Sequence, residues 1–163
     1  MRLTTRSRYA VTALLDLALH GGGPVALADI AARQGISAAY LEQLLARVRR
    51  GGLVTGVRGP GGGYRLAVPP AGLSVAAILD AVDDATDATS CGGAGDCQGG
   101  ALCLTHGLWE DLSVSIREFL EGVTLADLIG RSEVRAVGWR QDVAVASAQA
   151  PLNALGSGRS SKP

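Results

Sequence analysis

Apolar side chains recur at helical spacing in three successive segments at the start of the chain. The first segment, 5–20, ends at three glycines and a proline, and the second, 27–34, ends at Gly35. Ser37 is a good N-cap for the third segment, 38–50, whose apolar stripe faces away from its charged residues. The pattern therefore predicts three short helices, with a tight glycine-containing turn between the second and the third.

Two short β-prone runs follow at 53–55 and 64–66, separated by a glycine-rich loop that carries Arg58. This spacing predicts a β-hairpin with a flexible tip. Helix, helix, basic helix and hairpin is the order of a winged helix-turn-helix, in which the third helix enters the major groove of DNA. An ordinary helical hairpin would also account for the second and third helices. The tip does not fit a nucleotide-binding loop, because it lacks the G-K-[ST] ending and leads into a strand.

Helical spacing resumes in the second half of the chain. It predicts a helix over 74–83, a longer one over 105–121 and a short one over 124–129. The longer helix carries an apolar stripe made of Leu108, Leu112, Ile116, Phe119 and Leu120. This stripe could pack on its own domain, but its length favours pairing with the same helix of a second copy, which would give a homodimer.

These elements predict a mainly α fold with a small β-hairpin, built as a winged helix-turn-helix domain plus a long dimerisation helix. We assign 1–83 to the DNA-binding domain and 84–107 to a cofactor-binding loop. The segment 108–142 would hold the dimerisation helix and a short C-terminal helix. From 143 to 163 the chain is rich in Ala, Ser, Gly and Pro without periodicity, which predicts a disordered tail.

The loop contains all three cysteines of the chain and one of its two histidines. Cys91, Cys97, Cys103 and His106 are spaced C-x5-C-x5-C-x2-H among six glycines, a composition that provides little hydrophobic core. A disulfide would leave one cysteine over, and buried free thiols prefer packed cores, so a metal centre is the better interpretation. Zinc accepts a Cys3His set, mostly through tighter C-x2-4-C knuckles. Iron–sulfur clusters tolerate longer loops, so the spacing favours a cluster and leaves zinc open.

Charge is distributed unevenly, although Lys+Arg and Asp+Glu both number 15. The first 68 residues hold nine arginines against three acidic residues, a net charge of +6, and the remainder is correspondingly −6. A basic front half is typical of a domain that binds a polyanion such as double-stranded DNA, although a plain solvated surface also produces such asymmetry. The first apolar run is interrupted by Asp16 and is too short to span a bilayer. We therefore expect a cytoplasmic protein with no membrane partner, in which thiols stay reduced.

Several motifs resemble the IscR family of iron–sulfur cluster regulators. They are MRLT at 1–4, RYAVTA at 8–13, QGIS at 34–37, YLEQL at 40–44, VRGPGGGY at 57–64, CQGG at 97–100 and CLTH at 103–106. The resemblance covers roughly residues 1–140. Its ligand motif is specific, because related winged-helix regulators often keep the three cysteines without the histidine.

This resemblance implies a homodimeric transcription factor that holds a 2Fe–2S cluster on Cys91, Cys97, Cys103 and His106. Such a factor senses cluster supply and represses cluster-assembly genes when the cluster is loaded. A homodimer further implies a palindromic operator in double-stranded DNA.

The resemblance also implies that Tyr40, Glu42, Gln43 and Arg58 contact DNA. One departure is Ala39, where the family often has a serine, and it leaves the target sequence unspecified. Chemistry supports two of the contacts independently, since Gln43 can pair bidentately with adenine and Arg58 can enter a narrow minor groove or hold phosphate. Glu42 can accept a hydrogen bond from a cytosine amino group, or act against unwanted sites. The complete predicted DNA-binding set is Arg2, Arg8, Ser37, Tyr40, Glu42, Gln43, Arg47, Arg50 and Arg58.

Two other functions would use the same features. An iron–sulfur electron carrier or oxidoreductase would use the cluster, but the chain has no further cofactor motif and only two histidines, so we do not expect an enzyme. A zinc-stabilised regulator would bind DNA constitutively, without a switch.

Overall fold

The structure is a computed structural model that describes residues 4–83 and 87–154, with side chains described as far as 148. Its helices are α1 (Thr5–Leu19), α2 (Leu27–Gln34), α3 (Ala38–Arg50), α4 (Val75–Ala81), α5 (His106–Glu121), α6 (Leu125–Gly130) and α7 (Ser132–Ala154). Strands β1 (Val54–Val57) and β2 (Gly63–Leu66) form an antiparallel hairpin, and a short 3-10 turn spans Pro70–Gly72. The fold is mainly α with a small β-hairpin, as the sequence predicts.

The first three helices begin and end where the sequence signals place them. Thr4 caps α1 by accepting a hydrogen bond from the Ser7 amide (3.2 Å), and Ser37 caps α3 through the Tyr40 amide (3.4 Å). Gly35 ends α2 in the left-handed conformation (φ 63°), which glycine adopts without the steric cost that other residues bear. These caps produce the short turn that sets α3 against α2.

The wing is attached to the helices by the loop between α1 and α2. Val54 pairs with Leu66 in the hairpin, and Val25 adds a bridge to Tyr64 through two backbone hydrogen bonds of 2.8 Å. At Gly63 a Cβ atom would lie 2.2 Å from the Val25 carbonyl oxygen, so only glycine permits this close approach. The hairpin is therefore held in a fixed position beside α3.

Helix α1 lies at the centre of the hydrophobic core. It packs against α2, α3, α4, α6, α7 and β2. The core side chains are Ala10, Ala13, Leu14, Leu17, Val25, Ile30, Ile36, Leu41, Leu44, Leu45, Val48, Val54, Leu73, Ile78, Val82 and Leu125. The apolar stripe predicted for α3 is thus buried, which turns the other faces of that helix outwards.

The chain that follows the cysteine loop returns to the DNA-binding domain. Helix α5 packs on α4, and two backbone hydrogen bonds of 2.9 Å, from Val75 to Val123 and from Leu125 to Leu73, attach the segment that leads into α6. In the described part of the chain, no helix is both long and apolar enough to cross a membrane.

Helix α5 leaves much of its apolar surface uncovered. Ile116 and Leu120 are half-buried, whereas Leu108 and Phe119 are 62% and 66% exposed. The predicted stripe is therefore divided between a face directed at its own domain and a face open to solvent.

The predicted disordered tail from 143 is wrong as far as Ala154, because α7 continues to that residue. The segment from 143 lacks apolar periodicity but is rich in alanine, which has the highest helix propensity of the amino acids. The rest of the predicted tail, 155–163, lies outside the described residues. The domain boundaries at 83, 107 and 142 remain predictions.

A buried ion pair joins α1, α2 and α7. The Asp16 carboxylate is 0% exposed and accepts hydrogen bonds from Arg33 Nε (2.9 Å), the Arg33 terminal nitrogen (2.7 Å) and Gln34 Nε2 (2.7 Å). Gln34 also donates to Gln141 of α7 at 3.1 Å. The hydrogen bond that Arg33 donates to Asp16 raises the pKa of Arg33, so the guanidinium stays charged.

Replacing Asp16 by alanine should destabilise the protein by about 3–5 kcal/mol, because it leaves a guanidinium whose side chain is only 9% exposed without its carboxylate. The matched control is Asp142→Ala, which removes a carboxylate that lies 3.9 Å from Arg33 but is 46% exposed. This control should cost no more than about 1 kcal/mol. Urea unfolding followed by circular dichroism measures both losses. Equal losses would show that burial of the carboxylate does not determine the effect.

Candidate metal centre and nucleic-acid interface

The cysteine loop runs from 87 to the start of α5 and contains no helix or strand. Five of its glycines have positive φ angles: Gly92, Gly93, Gly95, Gly99 and Gly100. Residues with a side chain rarely adopt such backbone conformations, so glycine at these positions lets the backbone reverse direction repeatedly. These reversals bring the cysteines back to the first turn of α5.

Three of the four predicted ligands lie together at this point. The Cys91 and Cys97 sulfurs are 3.6 Å and 3.3 Å from the same ring nitrogen of His106, Nδ1. The three ligand atoms all lie within 4.8 Å of one another. Ligand atoms of one tetrahedral metal with bonds of about 2.0–2.3 Å are about 3.3–3.8 Å apart, so both sulfur-to-nitrogen distances are compatible with metal binding.

Cys103 lies beside this group without being a member of it. Its amide donates a hydrogen bond to the Cys97 sulfur at 3.4 Å, and its own sulfur is 3.7 Å from the Thr105 hydroxyl. All three cysteines carry free thiols, so the disulfide alternative finds no support.

Hydrogen bonds make two of the three thiols easier to ionise. The Gly95 amide is the main group that lowers the pKa of Cys91 to about 7, and Thr105 lowers the pKa of Cys103. The Cys103 amide acts to lower the pKa of Cys97, but desolvation and the neighbouring thiols outweigh it, and that pKa is raised. Because thiolates are the form that binds metals, the loop favours the ligand form at two positions.

His106 is the first residue of α5 and is only 7% exposed. Its Nδ1 faces the thiols, while its Nε2 lies 3.8 Å from Glu110 Oε2, one helical turn further on. A carboxylate near the second ring nitrogen is common at metal-binding histidines, since it helps to orient the ring. The helix therefore supplies both the ligand and its support.

Sequence reasoning missed a group of polar residues that joins the loop to α5. Asp87 accepts hydrogen bonds from the amide and the hydroxyl of Thr89, both at 2.7 Å, and the Ser113 hydroxyl accepts one from the Ala88 amide at 2.8 Å. The Asp-x-Thr sequence was an available signal, because Asp side chains often bond the backbone two residues on. No signal pointed to Ser113, which is distant in sequence.

The predicted DNA-reading face of α3 is open to solvent. Glu42, Gln43 and Arg50 are exposed, on the sides of the helix away from its buried leucines. These side chains are therefore accessible to a ligand outside the domain.

Two other predicted residues at the start of α3 have structural contacts. The Tyr40 ring packs edge-on against Tyr9, with 5.9 Å between the ring centroids, and the exposed Ser37 hydroxyl caps the helix. The Tyr9 contact connects α1 to α3 and restricts where the Tyr40 side chain can lie.

Arg47 forms an ion pair that the sequence did not indicate. One of its terminal nitrogens is 3.2 Å from Asp83 Oδ2, and Arg6 donates a hydrogen bond to the Asp83 carbonyl at 3.2 Å. Asp83 lies just after α4 and has a left-handed backbone (φ 54°). Its carboxylate thus holds Arg47 towards α4.

The remaining predicted DNA-binding residues are arginines. Arg58 is exposed at the tip of the wing, and Arg8 is exposed on α1. Arg2 lies outside the described residues. The exposed positions on α1, α3 and the wing fit binding to a polyanion, and the individual contacts remain predictions.

Comparisons with known proteins give a consistent result. The family model of Rrf2, described as an iron-dependent transcriptional regulator, matches residues 3–131. The chain is 55% identical over 150 residues to the HTH-type transcriptional regulator IscR of Vibrio cholerae, which covers 91% of this chain and 87% of that protein. The IscR of Photobacterium profundum is 56% identical over 143 residues, 87% of this chain and 83% of its own length. The solved structure of T. potens IscR has a TM-score of 0.67 at 40% identity, covering 80% of this chain and 87% of its own.

The resemblance indicated by the sequence motifs is therefore confirmed. The relatives are regulators of transcription and not enzymes, which agrees with an exposed helix-turn-helix face. The iron dependence of the family agrees with a site built from thiols and an imidazole. The chain belongs to the Rrf2 family of iron-dependent transcriptional regulators.

Proposed function

We propose that the protein is a DNA-binding regulator that responds to an iron–sulfur cluster and represses cluster-assembly genes when the cluster is loaded. The observation that carries this proposal is the meeting of Cys91, Cys97 and His106 at the start of α5. The names of the relatives also support the proposal, because proteins more than half identical over most of the chain are called IscR.

The proposed cofactor is a 2Fe–2S cluster on Cys91, Cys97, Cys103 and His106. Three sulfur ligands and one imidazole are suited to iron, and histidine can replace cysteine on clusters of this type. Each iron of such a cluster would take two of the four protein ligands, so Cys103 would complete the set with Cys91, Cys97 and His106. When bound, the cluster supplies a redox-active and easily lost group, which is what a sensor requires.

The proposed DNA interface combines direct reading with phosphate contacts. Gln43 and Glu42 are exposed on α3 and can reach base edges in the major groove, while Arg58 on the wing can reach the neighbouring groove or backbone. Tyr40 and Ser37 stand at the start of the same helix. The phosphate-contacting candidates are Arg2, Arg8, Arg47 and Arg50.

We further propose that two copies pair through α5. Leu108 and Phe119 are more than half exposed, and an apolar face of this length is stabilised by burial against an equivalent face. A two-fold dimer presents two recognition helices, which corresponds to a palindromic operator. The reduced thiols that the cluster needs are consistent with a cytoplasmic location.

Two alternatives differ from this proposal in measurable ways. A zinc-stabilised regulator would be colourless, and an electron carrier would lack sequence-specific DNA binding. Anaerobic purification followed by an absorbance spectrum, an iron and sulfide assay and a DNA-binding assay tests all three. Reddish-brown protein that contains iron and sulfide and binds a specific duplex supports the regulator.

Replacing Cys97 by alanine should abolish the visible chromophore, because this thiol lies closest to the His106 ring nitrogen. The protein should remain folded, since the core around α1 contains no residue of the cysteine loop. The visible spectrum and the iron and sulfide content measure the first effect, and far-ultraviolet circular dichroism measures the second. Full iron and sulfide content in this variant would remove Cys97 from the ligand set.

Replacing Arg58 by alanine should weaken operator binding by about 1–3 kcal/mol if the side chain reads a groove. If it holds only a phosphate, the negative slope of log affinity against log salt should instead become shallower by about 0.9. Fluorescence anisotropy over a range of salt concentrations measures both quantities. The matched control is Arg140→Ala, which removes an exposed arginine of α7, a helix that packs on α1, α2 and α6. Unchanged affinity and slope for Arg58→Ala would refute the role of the wing.

Replacing Glu42 by alanine should broaden the set of bound sequences, because an exposed carboxylate on the reading face repels most sites and accepts only from a donor such as a cytosine amino group. Selection from a random DNA pool with both proteins measures the change. Gln43→Ala, on the adjacent position, serves as the comparison and should weaken the preferred site. A uniform loss of affinity with unchanged preference would contradict an excluding role for Glu42.

A further inference from the structure

The ligands of the proposed metal centre come from two different parts of the fold. Cys91 lies in the glycine-rich loop, whereas His106 begins a regular helix. Holding a flexible loop in one conformation costs about 1–2 kcal/mol for each backbone residue that is fixed. Something other than apolar packing must offset this cost before a metal binds.

A hydrogen-bonded turn surrounds Cys91 on both sides. On the N-terminal side, Asp87 Oδ1 accepts from the Thr89 amide and hydroxyl, each at 2.7 Å. On the C-terminal side, the Gly93 amide donates to the Thr89 hydroxyl, also at 2.7 Å. The backbone before and after Cys91 is thus connected through a single side chain, that of Thr89.

Helix α5 holds this turn through Ser113. The Ser113 hydroxyl accepts from the Ala88 amide at 2.8 Å and lies 3.4 Å from Asp87 Oδ1, while it donates to the Trp109 carbonyl at 2.7 Å. Ser113 is two helical turns beyond His106, so both residues project from the same side of α5. One helix therefore carries the proposed ligand His106 and also Ser113, which holds the turn next to Cys91.

We propose that Asp87, Thr89 and Ser113 are positioning residues of the metal centre, which hold Cys91 at the distance from His106 that metal binding needs. This inference rests on the proposed metal-binding function. None of the three residues ligates the metal. They act by ordering the loop beforehand, so that less conformational freedom is lost when a metal binds.

Residues of this kind affect metal affinity more than they affect folding. Loss of a supporting hydrogen bond around a metal ligand typically weakens metal binding about 10- to 100-fold. The core around α1 includes neither the loop nor Ser113, so the thermal stability of the metal-free protein should change little.

The test is anaerobic titration of the metal-free full chain with Co²⁺, followed through the thiolate-to-cobalt absorption bands. Ser113→Ala and Thr89→Val should each weaken Co²⁺ binding by about tenfold or more. The matched control is Ser115→Ala: Ser115 donates to the Asp111 carbonyl at 2.9 Å, as Ser113 does to Trp109, and makes no hydrogen bond to the loop in the part of the chain that the structure describes. Ser113→Thr, which restores the hydroxyl, should recover most of the affinity.

The outcomes separate this inference from the proposed function. Wild-type protein that shows no cobalt–thiolate bands would overturn the metal centre itself. Wild-type protein that binds Co²⁺ with the same affinity as Thr89→Val would overturn the positioning role and leave the metal centre intact. Thr89→Val also keeps the test decisive if Ser113→Ala lowers the melting temperature of the metal-free protein, because Thr89 lies outside the helix.

Discussion

Burial of the apolar face of α1 is the constraint on which the other elements depend. Leu14 and its neighbours are inaccessible to water and are covered by helices from both halves of the chain, so the fold closes only when the C-terminal segment returns through α6. Helix α5 packs on α4, which in turn packs on α1. The placement of the helix that begins at His106 therefore depends on packing around α1, which contains none of the proposed ligands.

The cysteine loop is stabilised by different forces. Its side chains contribute nothing to the hydrophobic core, and Leu102 and Leu104 within it are exposed. Order in the loop comes from short-range hydrogen bonds around Asp87 and Thr89 and from contacts between the thiols and the imidazole. A rigid domain thus adjoins a segment whose conformation is held by a few polar contacts, a combination that lets ligand binding alter the loop without unfolding the domain.

Most of the fold could be predicted from the sequence because local signals specify it. Ser37, Gly35 and the periodic leucines fix the ends and faces of the first helices, and they agree with the structure. Helix α7 was missed because its alanine-rich sequence lacks apolar periodicity, and because its contact with α2, from Gln34 to Gln141, joins residues far apart in the chain. The spacing of the cysteines predicted the candidate ligands, because these residues lie close together in the sequence. The hydrogen bond from Ala88 to Ser113 joins distant residues and could be recognised only in three dimensions.

The placement of Ser113 bears on how far the centre can be moved to another protein. A linear segment cut from Cys91 to His106 would contain every proposed ligand, yet it would omit both the turn at 87–89 and all of α5 after His106, including Ser113. Grafting that segment into a foreign loop would transfer the ligands without their geometry. If Asp87, Thr89 and Ser113 position the ligands as proposed, a transferable unit has to run from Asp87 through Ser113, which includes the first eight residues of α5. The cysteine motif identifies the proposed ligands, but the segment that holds them in place is longer than the motif.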